Sequence, residues 1–315
     1  MTLAIGVDVG GTKVAAGVVD LDGRIRQALQ RPTPSASAAE TAEVIGALVA
    51  DLRQAHNVVA VGIGAAGFVD ETRSVVRFAP NLAWREEPLR DEVSTRVGLP
   101  TVVENDANAM AWAEARFGAG RGEQHLVAVT VGTGIGGGMV LAGELYRGRF
   151  GIGAEFGHAR VVPDGRRCGC GNLGCWEQYA SGRALVREAR ELATASPVMA
   201  ARLLELGNGE VAGITGPEVT MAALEGDAAA VECFATVGGW LGQGLADLAA
   251  VLDPGVFVIG GGVSAAGELL LAPARAAYAA ALTGRGHRPM ADIRVAQLGP
   301  QAGIVGAADL ARRRN

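Results

Sequence analysis

The sequence of 315 residues predicts an α/β protein built from two similar halves. An apolar strand, a glycine turn and a second strand fill residues 3–20, and the same pattern returns in residues 126–144 at an offset of 122 residues. Between the two copies, helical and strand patterns alternate, which is the order of an α/β layer. The length suits about two domains. We expect a smaller N-terminal domain of residues 1–120 plus 298–315, and a larger C-terminal domain of residues 121–297.

Composition excludes several classes of function. The chain has 28 basic and 33 acidic residues, a net charge of −5, and no long run of one sign, so we expect neither a nucleic-acid partner nor a membrane surface. The apolar N-terminal stretch is interrupted by Asp8 and lacks a basic leader, so it reads as neither a signal peptide nor a membrane span. Three of the four cysteines are clustered as metal ligands would be, which favours the cytoplasm.

The first strand, LAIGVDV, leads into the turn GGTK at residues 10–13. Lys13 is the only lysine among the 28 basic residues, and it lies beside a glycine nest whose N–H groups suit a phosphate. The spacing of a Walker loop is absent. Asp8, near the strand end, would hold a magnesium ion through water or a phosphate oxygen. The alternative is an ordinary hairpin with a solvated aspartate.

A helix is predicted over residues 38–56 and a strand over residues 58–64, from their apolar spacing. Asn81 follows in the loop APNLAW, three residues before Trp84. An amide and an indole together suit the hydroxyls and the ring face of a sugar. An asparagine in a loop is more often a turn residue, so this pair carries little weight alone.

The segment TVVENDAN, residues 101–108, predicts a strand that delivers Asn105 and Asp106 at its carboxyl end, followed at once by a helix. Ligands of open α/β sheets bind at such strand ends. Asp106 has two possible roles: the N-cap of the helix, or a general base that takes a proton from a hydroxyl attacking a phosphoryl group. Sequence position does not separate them.

In the second copy of the repeat, Thr130 takes the place of Asp8, so only the first copy brings an acid. Gly132, Gly134 and Gly137 match the dinucleotide fingerprint G-x-G-x-x-G. The residues that follow, MVLAGELY, predict a strand and a turn instead of the helix that a Rossmann unit requires, so we reject that interpretation.

The segment from Glu155 to Glu177 carries a metal-site pattern. Cys168, Cys170 and Cys175 are spaced C-x-C-x4-C, with His158 ten residues upstream, which predicts a structural Cys3His zinc site. Four protein ligands leave no open position for a substrate, so the metal would shape the loop. A disulfide is the alternative, although bridging a C-x-C pair would strain the ring.

The remaining segments complete the expected layers. A strand at 256–264 ends in a glycine turn that would open a helix, and a strand at 293–299 and a helix at 304–314 are expected to return to the first domain. Further helices are predicted at residues 177–191, 197–206, 219–224 and 227–252.

Together these motifs resemble the ROK family (repressors, open reading frames, kinases), whose fold is actin/hexokinase-like, with two domains around a cleft. The motifs that carry the resemblance are DVGGTK (8–13), ENDAN (104–108), TVGTGIGGG (130–138), EFGH (155–158), CGCGNLGCWE (168–177) and IGGG (259–262). The resemblance implies ATP-dependent phosphorylation of glucose at the 6-hydroxyl, that is, a glucokinase, with ATP, Mg²⁺ and a structural Zn²⁺ as cofactors.

The resemblance also implies roles for single residues. Asp106 would be the catalytic base, and Asp8 would orient magnesium. Sugar hydroxyls would be bound by Asn81, Asn105, Asp106, Glu155, His158 and Glu177. Zinc would be held by His158, Cys168, Cys170 and Cys175. The nucleotide would be bound by Asp8, Gly10, Gly11, Thr12, Lys13, Gly132, Thr133, Gly134, Gly136, Gly137, Gly138, Gly261 and Gly262.

Other functions stay open at this point. The substrate could be another hexose, such as mannose, fructose or an N-acetylated hexosamine, or the protein could be a sugar-responsive regulator without catalysis. Repressors of the family carry a helix-turn-helix before the first strand, where this sequence has only Met1 and Thr2, so DNA binding is not expected. The alanine-rich helices of the second half favour a homodimer or homotetramer.

Overall fold

The structure is a computed structural model that describes residues 2–80 and 82–313. The chain divides into two compact units. The first comprises residues 1–128, 138–154 and 296–315, and the second comprises residues 129–137 and 155–295. The domain bounds expected from the sequence stay a prediction.

The units contain two five-stranded sheets, one three-stranded sheet and a set of helices. The strands are β1 (Leu3–Val9), β2 (Lys13–Val19), β3 (Ile25–Pro32), β4 (Val58–Ala65), β5 (Phe68–Val69), β6 (Val76–Phe78), β7 (Arg85–Glu87), β8 (Thr101–Asn105), β9 (Leu126–Val131), β10 (Ile135–Leu141), β11 (Glu144–Tyr146), β12 (Val256–Gly260) and β13 (Asp292–Val295). The helices are α1 (Ala38–Arg53), α2 (Leu89–Val97), α3 (Asp106–Phe117), α4 (Glu177–Ala180), α5 (Gly182–Ala195), α6 (Ala201–Leu206), α7 (Gly216–Leu224), α8 (Ala228–Leu252), α9 (Glu268–Ala281) and α10 (Ala302–Arg312).

The two large sheets share one strand order. The first runs β3-β2-β1-β4-β8 and the second runs β11-β10-β9-β12-β13, so in each sheet three consecutive strands are followed by two later ones. In the first sheet β1 is antiparallel to β2 and parallel to β4, and β4 is parallel to β8. The duplication predicted from the sequence is therefore confirmed. Strand β10 contains Gly137 and continues to Leu141, so a strand and not a helix lies at the end of the fingerprint, as predicted.

The first sheet is covered on one face by α10. A Cβ atom built on Gly6 would lie 1.8 Å from the carbonyl oxygen of Ile304, and one on Gly62 would lie 1.8 Å from that of Ala307. Only glycine therefore lets the helix backbone lie directly on β1 and β4. On α1, which begins after the N-cap Ser37, the apolar side chains at helical spacing are buried in the core of this unit.

A buried aspartate shapes the turn after β5. Asp70 accepts hydrogen bonds from the side chain of Thr72 and from the backbone N–H groups of Ser74 and Val75, the last two at 2.8 and 2.9 Å. Burial raises the pKa of Asp70, but these hydrogen bonds outweigh burial and lower the pKa to about 2. The charged carboxylate is thus the form that stabilises the turn.

Two sequence predictions about these elements were wrong. The helix expected at residues 177–191 is two helices, because Ser181 is extended, with φ −102° and ψ 172°, and its hydroxyl accepts a hydrogen bond from Ala184 N as the N-cap of α5. The strand expected to return to the first domain is β13, which instead pairs with β12 in the second sheet. The helix after it, α10, does lie in the first unit.

Across residues 2–80 and 82–313, none of the helices combines the length and the apolar character required to cross a bilayer.

Candidate active site and metal centre

The carboxyl edge of the first sheet gathers several of the predicted residues. Asp8 on β1 is aligned with Gly64 on β4, and Gly64 is aligned with Glu104 on β8. Neighbouring strands lie about 4.8 Å apart, so the backbones at Asp8 and Glu104 are roughly 10 Å apart on one edge. Asn105 and Asp106 follow directly after Glu104. The structure therefore brings the predicted magnesium residue and the predicted base to the same edge of one sheet.

Asn105, and not Asp106, is the N-cap of α3. Its backbone is extended, its side-chain oxygen accepts a hydrogen bond of 3.0 Å from Asn108 N, and its Nδ2 donates to Gly67 O at 3.2 Å. Asp106 is the first residue of the helix, and its Oδ1 accepts a hydrogen bond of 2.9 Å from Ala107 N. The capping alternative for Asp106 was wrong. Asp106 therefore begins the helix immediately after its cap, at the carboxyl edge of the sheet.

Asp8 is a carboxylate with little compensating charge. Burial raises its pKa, and the attraction of Lys13 lowers it only in part. A Cβ atom built on Gly303, in the first turn of α10, would lie 3.0 Å from Cγ of Asp8, so the helix backbone lies close against the carboxylate. A half-buried carboxylate that is short of positive charge fits a divalent cation, because such a cation would supply the missing charge.

The turn after β1 is tied to its own hairpin and to the loop after β3. Gly10 N donates to Lys13 O at 3.0 Å, and the hydroxyl of Thr33 donates to Gly10 O at 2.7 Å. Gly11, Thr12 and Lys13 are exposed. The backbone of the turn is thus held in place while these three residues are accessible to a ligand.

The second unit contains a cavity of about 1330 Å³ beside its glycine turn. Of the residues predicted to bind the nucleotide, Gly132, Thr133 and Gly262 line it. The glycines at 134, 136, 137, 138 and 261 are not among its lining residues. Large cavities with mostly apolar walls and a few polar groups are the usual form of a small-molecule site.

The other walls of this cavity come from α5 and α7, and sequence reasoning did not find them. The apolar lining includes Leu185, Val186, Met221, Leu224 and Val263, and the basic lining is Arg183, Arg187 and Arg190. An apolar wall suits a flat base, and arginines suit phosphate oxygens. The sequence did contain one signal of this cavity, the three arginines at helical spacing on α5. On its own, such a row indicates a solvated helix face.

The predicted metal ligands come together. One ligand atom from each of His158, Cys168, Cys170 and Cys175 can be chosen so that all four lie within 4.8 Å of one another. Nδ1 of His158 is 3.6 Å from Sγ of Cys168, and the Sγ atoms of Cys170 and Cys175 are 3.6 Å apart. Tetrahedral zinc with ordinary bond lengths requires about 3.6 Å between N and S and about 3.8 Å between two S atoms. The donor set therefore fits zinc, and all four cysteines are free, which contradicts the disulfide alternative.

Glycine and tryptophan hold the metal loop in shape. Gly174 has φ +75°, and a Cβ atom there would lie 1.7 Å from Val162 O. Trp176 is 1% exposed, and its Nε1 donates to Trp240 O on α8 at 2.8 Å. These contacts fix the backbone on both sides of Cys175.

The metal loop contacts the predicted sugar carboxylates of the second unit. Sγ of Cys168 lies 3.1 Å from Oε1 of Glu177. Burial raises the pKa of Glu155 above its usual value. The attraction of His158 opposes this rise, and the repulsion of the Glu177 carboxylate adds to it. His158 and Glu177 are thus close enough to Glu155 to act on it electrostatically, and the role of these three residues as sugar ligands stays a prediction.

The predicted sugar contact through Asn81 and Trp84 is not supported at Trp84. Asn81 lies outside the described residues. Trp84, which we expected to present its indole face to a sugar ring, is 1% exposed in the core of the first unit. That expectation was wrong, because a buried indole has no free face.

Comparison with known proteins places these sites in context. A model of the ROK family matches residues 4–314. The chain is 54% identical over 312 residues to a glucokinase of Streptomyces coelicolor, covering 99% of this chain and 98% of the relative.

Two solved structures are also similar. A ROK family glucokinase from Streptomyces griseus, solved in complex with glucose and AMPPNP, is 57% identical with a TM-score of 0.89, covering 99% of this chain and 100% of that one. A ROK hexokinase from Thermus thermophilus is 36% identical with a TM-score of 0.80, covering 99% and 98%. The chain belongs to the ROK family, and its fold is the duplicated α/β fold of the family's kinases.

Proposed function

We propose that this protein is an ATP-dependent glucokinase that phosphorylates the 6-hydroxyl of glucose. The observation that carries the proposal is the similarity, over nearly the whole chain, to Streptomyces glucokinases, one of them solved with glucose and an ATP analogue. The position of Asp106 supports it, because Asp106 begins α3 directly after β8, at the carboxyl edge of the first sheet, where ligands of open α/β sheets bind.

The chemistry follows from groups on the page. Asp106 accepts the proton of the 6-hydroxyl as that oxygen bonds to the γ-phosphorus. The bond between the γ-phosphorus and the β–γ bridging oxygen breaks, and ADP leaves with its electron pair. Lys13 and the N–H groups of Gly11 and Thr12, in the turn that Gly10 begins, stabilise phosphate charge. A magnesium ion, which Asp8 would hold through water or a phosphate oxygen, neutralises charge on the transferring group when bound.

Donor binding is proposed for the cavity of the second unit. Its apolar wall would take the adenine base, while Gly132, Thr133 and Gly262 would contact the phosphates. We also propose the remaining predicted glycines, at 134, 136, 137, 138 and 261, as the backbone that supports these contacts.

Sugar binding is proposed for Asn81, Asn105, Glu155, His158 and Glu177. Zinc on His158, Cys168, Cys170 and Cys175 would fix the loop from which Glu155 and Glu177 extend, so that both carboxylates reach the sugar hydroxyls already oriented. The free cysteines and the absence of a membrane-spanning helix among the described residues support a cytoplasmic location. A homodimer or homotetramer stays a prediction.

A coupled assay tests the proposal. Purified protein with ATP, Mg²⁺ and glucose should release ADP in proportion to glucose, and phosphorus and carbon NMR of the product should place the phosphate on O6. The control without sugar should show little ATP hydrolysis. Steady-state rates on mannose, fructose and N-acetylmannosamine are measured in parallel, and a clearly higher kcat/KM on one of them would replace glucose as the substrate. Glucose binding without ADP release would indicate the regulator instead.

A further inference from the structure

A buried charged cluster lies directly beneath the proposed base. Glu104 is 1% exposed, and its Oε2 is 2.8 Å from Nε of Arg147 and 3.0 Å from Nε of Arg73. The side chain of Arg147 is 10% exposed and that of Arg73 is 26% exposed. From the sequence, Glu104 was noted only as part of the motif ENDAN, without a role, and neither Arg73 nor Arg147 was singled out. The cluster belongs entirely to the first unit.

The same carboxylate bonds the first turn of α3. Oε1 of Glu104 accepts a hydrogen bond of 2.9 Å from Asn105 N and one of 3.1 Å from Nδ2 of the buried Asn108. Asn105 and Asn108 are in turn joined by the N-cap hydrogen bond. Asp106 lies between these two asparagines in the chain, so the turn that carries the base is bonded on both sides of it.

Arg147 connects this turn to the segment after β5. Its guanidinium donates to the carbonyl oxygens of Asp70 at 2.8 Å, of Glu71 at 3.2 Å and of Val69 at 3.4 Å. One side chain thus links three stretches that lie far apart in sequence: its own, residues 69–71, and the junction of β8 and α3. The planar fork of arginine permits this, whereas a lysine ammonium does not.

Stability alone is a weak reason for such a cluster. Burying an ion pair costs desolvation free energy that its attraction often only balances, so an apolar replacement can be equally stable. A hydrogen-bonded ion pair also fixes the orientation of the groups that it joins, because each hydrogen bond restricts an angle as well as a distance. The bonds of Glu104 and Arg147 are directed at the turn that holds Asp106 and at the loop beside it.

We propose that Glu104 and Arg147 are positioning residues for the reaction: they hold the first turn of α3 so that the Asp106 carboxylate faces the 6-hydroxyl. This inference rests on the proposed function. Neither residue needs to touch the sugar or the nucleotide. A misplacement of about 1 Å at a reacting group can slow a reaction about 100-fold, so the loss of Arg147 should appear in kcat.

The test compares two variants that each remove a buried arginine from a buried acid. Arg147→Met removes one arginine from Glu104, which keeps Arg73, and Arg312→Met removes one arginine from Asp309, which keeps Arg116. The Arg312–Asp309 pair, at 2.9 Å, is similarly buried, with side chains 5% and 6% exposed. Arg312 also donates to Val19 O, so both arginines support a backbone carbonyl. Both variants should lose comparable thermal stability, and rates are measured well below their melting temperatures.

The expected result is a difference in turnover. Arg147→Met should lower kcat by about 10-fold to 100-fold with KM for ATP within about twofold of wild type, while Arg312→Met leaves kcat within about twofold. Arg147→Lys keeps the positive charge and one hydrogen bond to Glu104, so its kcat should lie between those of Arg147→Met and wild type. This variant also tests the inference if Arg147→Met does not fold. Equal kcat in the two methionine variants would overturn the inference.

Hydrogen exchange separates this inference from the proposed function. Peptides covering residues 104–110 should exchange faster in Arg147→Met and unchanged in Arg312→Met, and this readout does not depend on turnover. If wild type fails to phosphorylate glucose but exchange in these peptides rises as expected, the proposed function fails while the cluster is still shown to hold the turn. Unchanged exchange in Arg147→Met refutes the inference whatever the activity.

Discussion

Gly134→Ala is the change that most sharply separates the sugar site from the stability of the fold. A Cβ atom on Gly134 would lie 2.5 Å from Oε2 of Glu177, and Gly134 does not adopt a positive φ, so alanine suits its backbone. An unstrained contact between a methyl carbon and another heavy atom is about 3.5 Å, so the carboxylate would have to withdraw about 1 Å. Because the carboxylate is the far end of a flexible side chain, the loss of stability should be small.

A shift of this size at a substrate-binding carboxylate should lower kcat/KM for glucose about 100-fold. Glucose titration, initial rates and a thermal melt measure the effect, and the melting temperature should stay within about 2 °C of wild type. Gly239→Ala is the matched control, since nothing lies within 4 Å of a Cβ atom at that position in α8. It should leave glucose kinetics unchanged. Wild-type kcat/KM in Gly134→Ala would refute the assignment of Glu177 to the sugar, and a large drop in melting temperature would refute the claim that the carboxylate alone adjusts.

Three further predictions concern stability, metal and magnesium. Because the pKa of Asp70 is low, its carboxylate should add about 2 kcal/mol to the free energy of unfolding relative to Asp70→Asn, at any pH above 3.8, and this stabilisation is lost as the pH falls toward 2. Denaturant melts of the wild type and Asp70→Asn should therefore differ at pH 7 and converge near pH 2. A difference in stability that does not depend on pH would contradict this prediction. Protein purified without chelators should contain about one zinc per chain, and Gly174→Ala, whose Cβ atom would meet Val162 O at 1.7 Å, should retain much less by metal analysis; metal-free wild type would contradict the zinc assignment. In Gly303→Ala the new methyl group would crowd the Asp8 carboxylate. The loss of about 1 kcal/mol of Mg²⁺ binding free energy should raise the Mg²⁺ concentration for half-maximal rate by a factor of about five. An unchanged Mg²⁺ titration would show that Asp8 does not orient the ion.

Sequence patterns predicted the fold where local chemistry decides it. Strand β1 was predicted with its observed bounds, because its apolar run ends in glycines, and β8 and α3 were predicted within about one residue. The small strands β5, β6 and β7 were missed, since strands of two or three residues carry no periodicity. The break at Ser181 was missed because residues 177–191 have the spacing of one helix, while Gly182 N donates to Gly132 O at 2.8 Å, a contact between distant segments that no local pattern records.

In the candidate site, too, the features set by local sequence were predicted and those set by tertiary contacts were not. The zinc ligands lie close in sequence and have a characteristic spacing, so their pattern predicted their convergence. The role of Asp106 was ambiguous because an aspartate at a strand-to-helix junction is usually a cap, and only the geometry shows Asn105 in that role. Glu104 and Arg147 are 43 residues apart and no spacing rule connects them, so their pairing could be seen only in the folded chain.

The most direct test of the whole account is the turnover of Asp106→Asn with glucose and ATP. Asparagine can keep the hydrogen bond from Ala107 N through its side-chain oxygen, so the fold and the binding of glucose and ATP should be retained. Asp91→Asn, also in the first turn of a helix, is the control and should turn over like wild type. Loss of the general base predicts that kcat falls by about 100-fold to 10,000-fold. A kcat near the wild-type value would contradict the account.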